Sequence, residues 1–448
     1  MISTPICDFV NRYSKGGALR AHMPGHKGVG SLGIEALDIT EINGADVLYG
    51  AEGIISESQR NASEIFGSGR TLYSTEGSTL CIWAMVYLAS VYAKEVGREP
   101  RILAARNAHR SFMNAAAIVG VEVEWLFSES SDSLISCKIS SEELEEIFRD
   151  RDEMPTAVYI TSPDYLGNIQ DIEKISEVCH RYGVLLMVDN AHGAYLGFLQ
   201  GSRHPLALGA DVCCDSAHKT LPVLTGGAYL HISKSAPGLF FDVAQNAMSI
   251  FASTSPSYLI LQSLDMANLY LSDSYIERLA EFTARVRELK NTLEDNGFSL
   301  MGDEDIKITI LSKGLGYMGY ELAEYLEGQG IVCEFSDPDH TVMMLTPEID
   351  GAGLEAIKNA LLRLERKEPI TQRPPIPVRA VRAMSAREAM MSPSEELDSA
   401  LCIGRVLATA TVSCPPAIPI VACGEIIDES AARCFEYYGI KKCRVVLE

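Results

Sequence analysis

Two residues in this chain carry the types and spacing that chemistry needs: Lys219, in Ser216-Ala217-His218-Lys219-Thr220, and Asp189, in Val188-Asp189-Asn190-Ala191-His192. A lysine amine condenses with an aldehyde, and a buried aspartate keeps a pyridine nitrogen protonated, so the ring can draw electrons. A lysine beside a histidine just past an apolar strand, with a carboxylate ending the previous strand, is the set that pyridoxal phosphate requires. Lys219 is therefore read as the cofactor lysine. A solvated loop lysine is the ordinary occupant of such a position. Here the neighbours are small and apolar, and partial burial lowers a lysine's pKa and leaves it nucleophilic. Asp189 closes Val184-Leu185-Leu186-Met187-Val188, a run so apolar that an ionised carboxylate there demands a partner. Taken alone, Asp189 would cap the next turn and His192 would pack beneath the loop. Together with Lys219 they read as a site.

A phosphate needs converging amides and hydroxyls. Ser74-Thr75-Glu76-Gly77-Ser78-Thr79 opens the apolar helix Leu80–Ala93. Free amides at a helix start attract an anion, Gly77 permits close approach, and Ser78 and Thr79 add hydroxyl donors. The same residues would also serve as a plain helix cap. Ser216 and His218 flank the lysine with further donors. His109, in Arg106-Asn107-Ala108-His109-Arg110, follows the strand Arg101–Ala105, where it could stack on a flat heterocycle or cap the next helix. Ordinary roles are assigned to His180 on a helix surface, His204 and His340 in turns, and His231 at a strand end.

These residues must be positioned by regular elements. From about residue 70, short apolar runs alternate with longer amphipathic ones. Strands are expected at Arg101–Ala105, Val121–Phe127, Ala157–Thr161, Val184–Asp189, Asp211–Asp215 and Gly227–Ile232, with helices between them. Ser140 and Glu143 have capping-box spacing before a helix ending at Arg149, and Gly183 stops one over Asp171–Tyr182. The order predicts an α/β fold with a mostly parallel central sheet covered by helices, and chemistry collected at the carboxyl ends of the strands. Beyond it come the long helices Ser257–Ser272 and Tyr275–Asn296. A smaller α/β domain then follows, with strands Ile306–Ser312, Ile331–Phe335 and Thr341–Leu345 and helices Tyr320–Gln329 and Leu354–Arg366. Arg373-Pro374-Pro375-Ile376-Pro377 favours an extended connector into a C-terminal subdomain. The expected division is an N-terminal arm and active-site segment over residues 1–60, a cofactor-binding major domain over 61–256, bridging helices and the small α/β domain over 257–370, and the C-terminal subdomain over 371–448.

The chain has 448 residues, 47% of them hydrophobic and 22% charged, enough for a substantial core. Its net charge of −22 argues against nucleic acid or an anionic membrane surface as partner. Twelve cysteines lie mostly in apolar runs without zinc-ligand spacing, so they read as reduced core residues, and no metal is expected. Neither a leader-like N-terminus nor a stretch of about twenty apolar residues is present, so a cytoplasmic protein is expected.

With these residues in hand, the chain resembles the Orn/Lys/Arg decarboxylase family of fold type I pyridoxal-phosphate enzymes. The similarity runs through Ala21-His22-Met23-Pro24-Gly25-His26-Lys27-Gly28, Asn107-Ala108-His109-Arg110-Ser111, Thr161-Ser162-Pro163-Asp164-Tyr165-Leu166-Gly167, Val188–Gly193, Ser216–Thr220 and Ser253-Thr254-Ser255-Pro256-Ser257-Tyr258. Cys414-Pro415-Pro416-Ala417-Ile418-Pro419 with Gly424-Glu425 is similar to the family's closing segment. The resemblance implies that Lys219 holds the cofactor covalently, Asp189 pairs with the pyridine nitrogen, His109 stacks on one ring face and Ala191 packs the other. Gly77, Ser78, Thr79, Ser216 and His218 would hold the phosphate, and His192 would lie near the ring hydroxyl and the substrate carboxylate. Lys219 or His218 would return the proton. The family forms dimers or larger assemblies with the site at a subunit interface, so Thr254 and Ser255 are expected to reach a neighbouring subunit's phosphate. Glu425 is expected at the substrate's distal end. The chain departs from many relatives at Asn190, where they carry Glu, at Cys414–Ala417, where they carry Tyr-Pro-Pro-Gly, and around Glu52.

The function so implied is decarboxylation of lysine, arginine or ornithine to its amine and carbon dioxide. An aminotransferase or another lyase on the same fold is the alternative, with Arg379, Arg382 or Arg387 gripping the α-carboxylate. A protein that binds the cofactor without turnover is the third reading.

Overall fold

The computed structural model describes residues 2–128, 134–409, 411–414 and 418–447, with the backbone alone for 411–414. In chain order its first elements are α1 (Pro5–Lys15), α2 (Ile54–Phe66), β1 (Arg70–Ser74), α3 (Gly77–Glu95), β2 (Arg101–Ala105), α4 (Arg110–Val119), β3 (Glu122–Leu126), α5 (Ser141–Arg149), β4 (Ala157–Thr161) and α6 (Ile172–Arg181). There follow β5 (Leu185–Asp189), β6 (Val212–Asp215), α7 (Ala217–Thr220), β7 (Ala228–Ile232), α8 (Gly238–Phe251), α9 (Tyr258–Ser272) and α10 (Tyr275–Asp295). The chain divides into two compact units, each discontinuous in sequence: Met1–Arg98 with Ile172–Leu279, and Glu99–Asp171 with Ala280–Glu448.

In the first unit the strands run in the order β1-β7-β6-β5. β5 and β6 are parallel, pairing Asp189 with Cys214, while β7 runs antiparallel to both β6 and β1, pairing Asp215 with Tyr229 and Ser74 with Ala228. This register has a direct consequence. The carboxyl ends of β1, β5 and β6 and the start of β7 all fall on one edge of the sheet. β5, β6 and β7 are buried along their whole length, as near-continuous Leu, Val, Met, Cys and Ile runs covered on both faces should be. α3 is apolar on nearly every side and packs against α8, with Trp83 edge-on to Phe251 at 5.2 Å.

The first unit is also tied by one buried carboxylate. Asp265 of α9 accepts the amides of Ile6 and Cys7 at 3.0 Å each, which would otherwise be orphans in the first turn of α1, and the hydroxyl of Ser58 at 2.6 Å. Burial pushes this carboxyl up from the usual 3.8 to about 6. Its folded-state pKa therefore lies above the unfolded one, so its contribution to stability is full below about pH 4 and is lost as pH rises through 6. A shift of that size corresponds to about 3 kcal/mol. Asp265→Asn, which does not ionise, is expected to gain about 3 kcal/mol on the wild type between pH 4 and pH 7 in urea unfolding. Parallel stability curves for the two proteins would show that the carboxyl is not shifted.

In the second unit β4, β2 and β3 are parallel, pairing Ala104 with Tyr159 and Ala105 with Leu126. The capping box expected at Ser140 is present, with Ser140 and Glu143 bonded reciprocally. A second sheet joins β8 (Leu300–Met301), β9 (Lys307–Leu311), β10 (Phe335–Ser336) and β11 (His340–Met344) in the order β10-β11-β9-β8, all antiparallel. The strand expected over Ile331–Phe335 is shorter and lies later, because Val332 is 81% exposed and pairing with β11 is confined to Phe335 and Ser336. Residues 364–381 contain neither helix nor strand, in keeping with the proline-rich run inside them. Beyond them, Ile420, Val421, Ile427, Phe435 and Val445 form a C-terminal core with Leu166 and Val342.

Among the described residues no helix is long and apolar enough to cross a membrane. The described cysteines are unbridged, and all but Cys333 are buried.

Candidate active site

The shared sheet edge of the first unit gathers most of the expected residues. β6 ends at Asp215 and the chain enters α7, a single helical turn that carries His218 and Lys219. The segment around the lysine is a helical turn, closed by Lys219 N–H on the Ser216 carbonyl at 2.9 Å and Leu221 N–H on that of Ala217 at 2.8 Å. This turn fixes the direction of a long, half-buried side chain. Lys219 Nζ lies 2.8 Å from His192 Nε2, so the amine is held by an imidazole at the end of the neighbouring strand.

Asp189 is 2% exposed at the end of β5, as the apolar run before it requires. Its Oδ1 accepts the amide of Ala191 at 3.1 Å and the thiol of Cys214 at 3.7 Å. Burial raises the Cys214 thiol far above its ordinary range, with the Asp189 charge adding to it, so the thiol stays protonated and donates. Ala191 is buried immediately beyond.

At the third strand end, β1 runs through Thr75 and Glu76 into α3. Gly77 begins that helix at φ +69°, a left-handed conformation that favours glycine, and its amide donates to the Gly226 carbonyl at 2.7 Å. Ser216 donates its hydroxyl to Ser78 Oγ at 2.8 Å, which joins the β6 end to the helix start, and Thr79 is exposed on the same turn. His218 gives its Nδ1 proton to the Gly227 carbonyl at 2.9 Å, so Nε2 is its unprotonated nitrogen when the ring is neutral. Thr254 and Ser255 lie exposed in the segment before α9. Glu76 anchors that segment by accepting the Ser253 amide at 2.9 Å. Glu52 is exposed, and its amide belongs to a set (with Val47, Gly53, Ile55 and Ser56) collected by the carboxylate of Asp46 at the start of α2.

The remaining expected residues belong to the second unit. His109 caps α4, its Nδ1 taking the Ser111 amide at 3.2 Å and lying 2.8 Å from Ser111 Oγ. Glu425 is 4% exposed and pairs with Arg106 at 3.0 Å while accepting the Ala422 amide at 2.6 Å. The side chain of Cys414 and residues 415–417 lie outside the described residues. The three arginines weighed for a carboxylate grip already have partners. Arg382 bonds Glu122 at 2.5 Å, Arg387 donates to the carbonyls of Ala117 and Ile118 at the end of α4, and Arg379 stacks over Phe127.

Sequence reasoning missed one network beside Asp189. Asp215, His204, His231 and Asn190 are all buried, and the last three each bond to Asp215. From the sequence, His204 and His231 have only ordinary roles, in a turn and at a strand end. Their shared partner lies 11 and 16 residues away along the chain; the β6–β7 pairing brings His231 to it, and the loop before β6 brings His204.

The profile described as Orn/Lys/Arg decarboxylase, major domain, matches residues 4–310. An arginine decarboxylase of Halalkalibacterium halodurans is 30% identical, covering 95% of this chain and 91% of its own. The arginine decarboxylase of Bacillus subtilis is 29% identical over the same shares. Among solved structures, the lysine decarboxylase LdcF of Francisella novicida superposes with a TM-score of 0.80 at 18% identity, over all of this chain and 81% of that one. That likeness shows the expected fold type I α/β architecture. With a match that spans most of the chain and a relative similar over nearly all of it, the chain belongs to the Orn/Lys/Arg decarboxylase family.

Proposed function

We propose that this protein is a pyridoxal-phosphate-dependent decarboxylase that converts a basic amino acid, lysine, arginine or ornithine, into its amine. The observation that carries the reading is the contact of Lys219 Nζ with His192 Nε2 at 2.8 Å, on the same sheet edge as the buried Asp189. Three demands of the cofactor have an answer there: an amine for its aldehyde carbon, a buried carboxylate for its ring nitrogen, and hydroxyls at a helix start for its phosphate. Relatives named arginine decarboxylase and neighbours named lysine decarboxylase support the class of substrate.

In this reading Lys219 holds the cofactor, and Asp189 keeps the ring nitrogen protonated. Ser78, Thr79, Ser216 and His218 hold the phosphate together with the backbone at Gly77. Ala191 and His109 cover the ring faces. When bound, the cofactor accepts the electron pair left as carbon dioxide departs. His192 orients the lysine amine and takes or returns its proton, and Lys219 or His218 delivers a proton to the substrate carbon. Glu52, Cys414 and Glu425 remain the proposed substrate-reading positions, with Glu425 acting as a pair with Arg106 rather than as a lone carboxylate. A homodimer or higher oligomer, in which Thr254 and Ser255 reach a partner's phosphate, completes the proposal.

Incubating the purified protein with pyridoxal phosphate and a panel of amino acids tests it, with carbon dioxide, amine and keto acid measured together. Carbon dioxide and the matching amine from one basic amino acid are expected. Keto acid without carbon dioxide would replace the proposal with an aminotransferase, and cofactor binding with no product from any amino acid would leave a non-catalytic binder.

A further inference from the structure

Asp215 ends β6 with 0% exposure, four residues before Lys219. Its Oδ2 lies 3.0 Å from His204 Nε2 and 3.2 Å from His231 Nε2, and its Oδ1 accepts Asn190 Nδ2 at 2.6 Å. The other ring nitrogens decide who donates. The Leu206 amide donates to His204 Nδ1 at 3.4 Å, and Thr71 Oγ1, itself 2.7 Å from Ser68 Oγ, lies 2.8 Å from His231 Nδ1. Each ring can thus stay neutral with its proton on Nε2, facing Asp215. Burial holds His231 below its ordinary pKa. Burial alone would push Asp215 up, but the two histidines hold it well below the usual carboxylate range. The result is a buried carboxylate that accepts three hydrogen bonds. The two Nε2 atoms and the carboxylate oxygen are also close enough together to hold a metal ion. The Nε2 protons point into that space, so hydrogen bonds already account for the geometry.

Asn190 links this anion to the site. Its amide donates to the Cys214 carbonyl at 3.0 Å and its carbonyl accepts the Gly193 amide at 2.8 Å. Gly193 is confined as well, since a Cβ there would stand 2.0 Å from Asn190 Oδ1. The turn between Asp189 and His192 is therefore held from both backbone and side chain, and the side-chain hold ends on Asp215. We propose that Asp215 is a positioning residue for the cofactor site, which through Asn190 fixes the turn that aims Asp189 and His192. This rests on the cofactor reading above.

The test measures pyridoxal phosphate affinity, the near-visible absorbance of the lysine-bound cofactor, and carbon dioxide release. The wild type is measured first: no absorbance and no binding there would overturn the cofactor reading, and with it this one. Given a wild type that binds, Asp215→Asn removes the charge that Asn190 and both histidines donate to and is expected to weaken cofactor binding about 10- to 100-fold, as loss of a hydrogen bond to a charged group should. The swap Asn190→Asp with Asp215→Asn restores an acceptor opposite a donor, and binding is expected to return to within about threefold of wild type. A merely structural role would not produce that rescue. If Asp215→Asn does not fold, Asn190→Ala carries the same expectation, because it cuts only the tie to the turn and leaves both histidine bonds in place. Unchanged binding in the single variants, or no rescue by a swap that folds, would overturn the proposal. So would one equivalent of a divalent metal in the purified wild type that is lost in Asp215→Asn, which would make the triad a metal centre.

Discussion

Lys219→Ala is expected to lower carbon dioxide release by roughly 10³-fold or more and to abolish the near-visible absorbance of the bound cofactor. The expectation follows from geometry. Lys219 stands on a one-turn helix at the carboxyl edge of β6, and its amine is held 2.8 Å from His192 Nε2. Alanine keeps the turn and its backbone hydrogen bonds but leaves no nucleophile to hold the aldehyde, and the imidazole loses the group it orients. The loss should fall on chemistry and not on folding. Lys219 is only half-buried, so the unfolding free energy should stay within about 1 kcal/mol of wild type. Denaturation curves separate the two effects. Retention of both absorbance and turnover in the variant would remove Lys219 from the mechanism and the cofactor reading with it.

The largest effect on stability is expected in the second unit, at Lys307. This lysine is 2% exposed on β9. It pairs with Glu304 at 2.8 Å and donates to the Asp164 carbonyl at 3.1 Å, while Lys290 donates to the Glu304 carbonyl at 2.6 Å. Glu304 is 1% exposed, and burial raises its pKa despite the lysine beside it; Asp164, at 0% exposure, is raised for the same reason. Lys307→Met keeps the stem volume and removes the charge, which strands a carboxylate where water cannot reach it. Breaking one side of a buried pair costs about 3–5 kcal/mol. Replacing both members, Glu304→Met with Lys307→Met, is expected to recover most of that loss, because the desolvation cost of each charge disappears with it. A double-mutant cycle in urea measures the coupling directly. A single-variant loss under about 1 kcal/mol would mean that water or another cation compensates Glu304.

The parts of the site legible in the sequence are those whose chemistry is local. The five apolar residues before Asp189 announce a buried strand with a charge at its end, and Gly77-Ser78-Thr79 announces a helix start whatever it binds. Ser140 and Glu143 give their capping box from spacing alone. What was hidden depends on register. Asp215 meets His231 only because β7 runs antiparallel to β6, and it meets His204 only because a connecting loop folds back over the strand. Neither pairing has a spacing rule. Glu304 and Lys307 stand three residues apart, a spacing that solvated pairs share, and only the packing of the second unit makes them expensive. The strand near Phe335 was misplaced because a short apolar run carries no sign of which residues find a partner edge.

The two compact units are interleaved along the chain, which passes between them after residues 98, 171 and 279. A ribosome delivers residues in order, so the first unit cannot close until its second segment, ending at Leu279, has emerged. By then residues 99–171 have waited, with β2, β3 and β4 already made but lacking every segment beyond residue 279 that their unit requires. Asp164 waits for Lys307 and Arg106 waits for Glu425, separations of 143 and 319 residues. Such long-range closure is slow and leaves apolar strands exposed meanwhile. The order of synthesis therefore completes every segment of the unit that carries Lys219 before Glu425, the partner of Arg106, has been made.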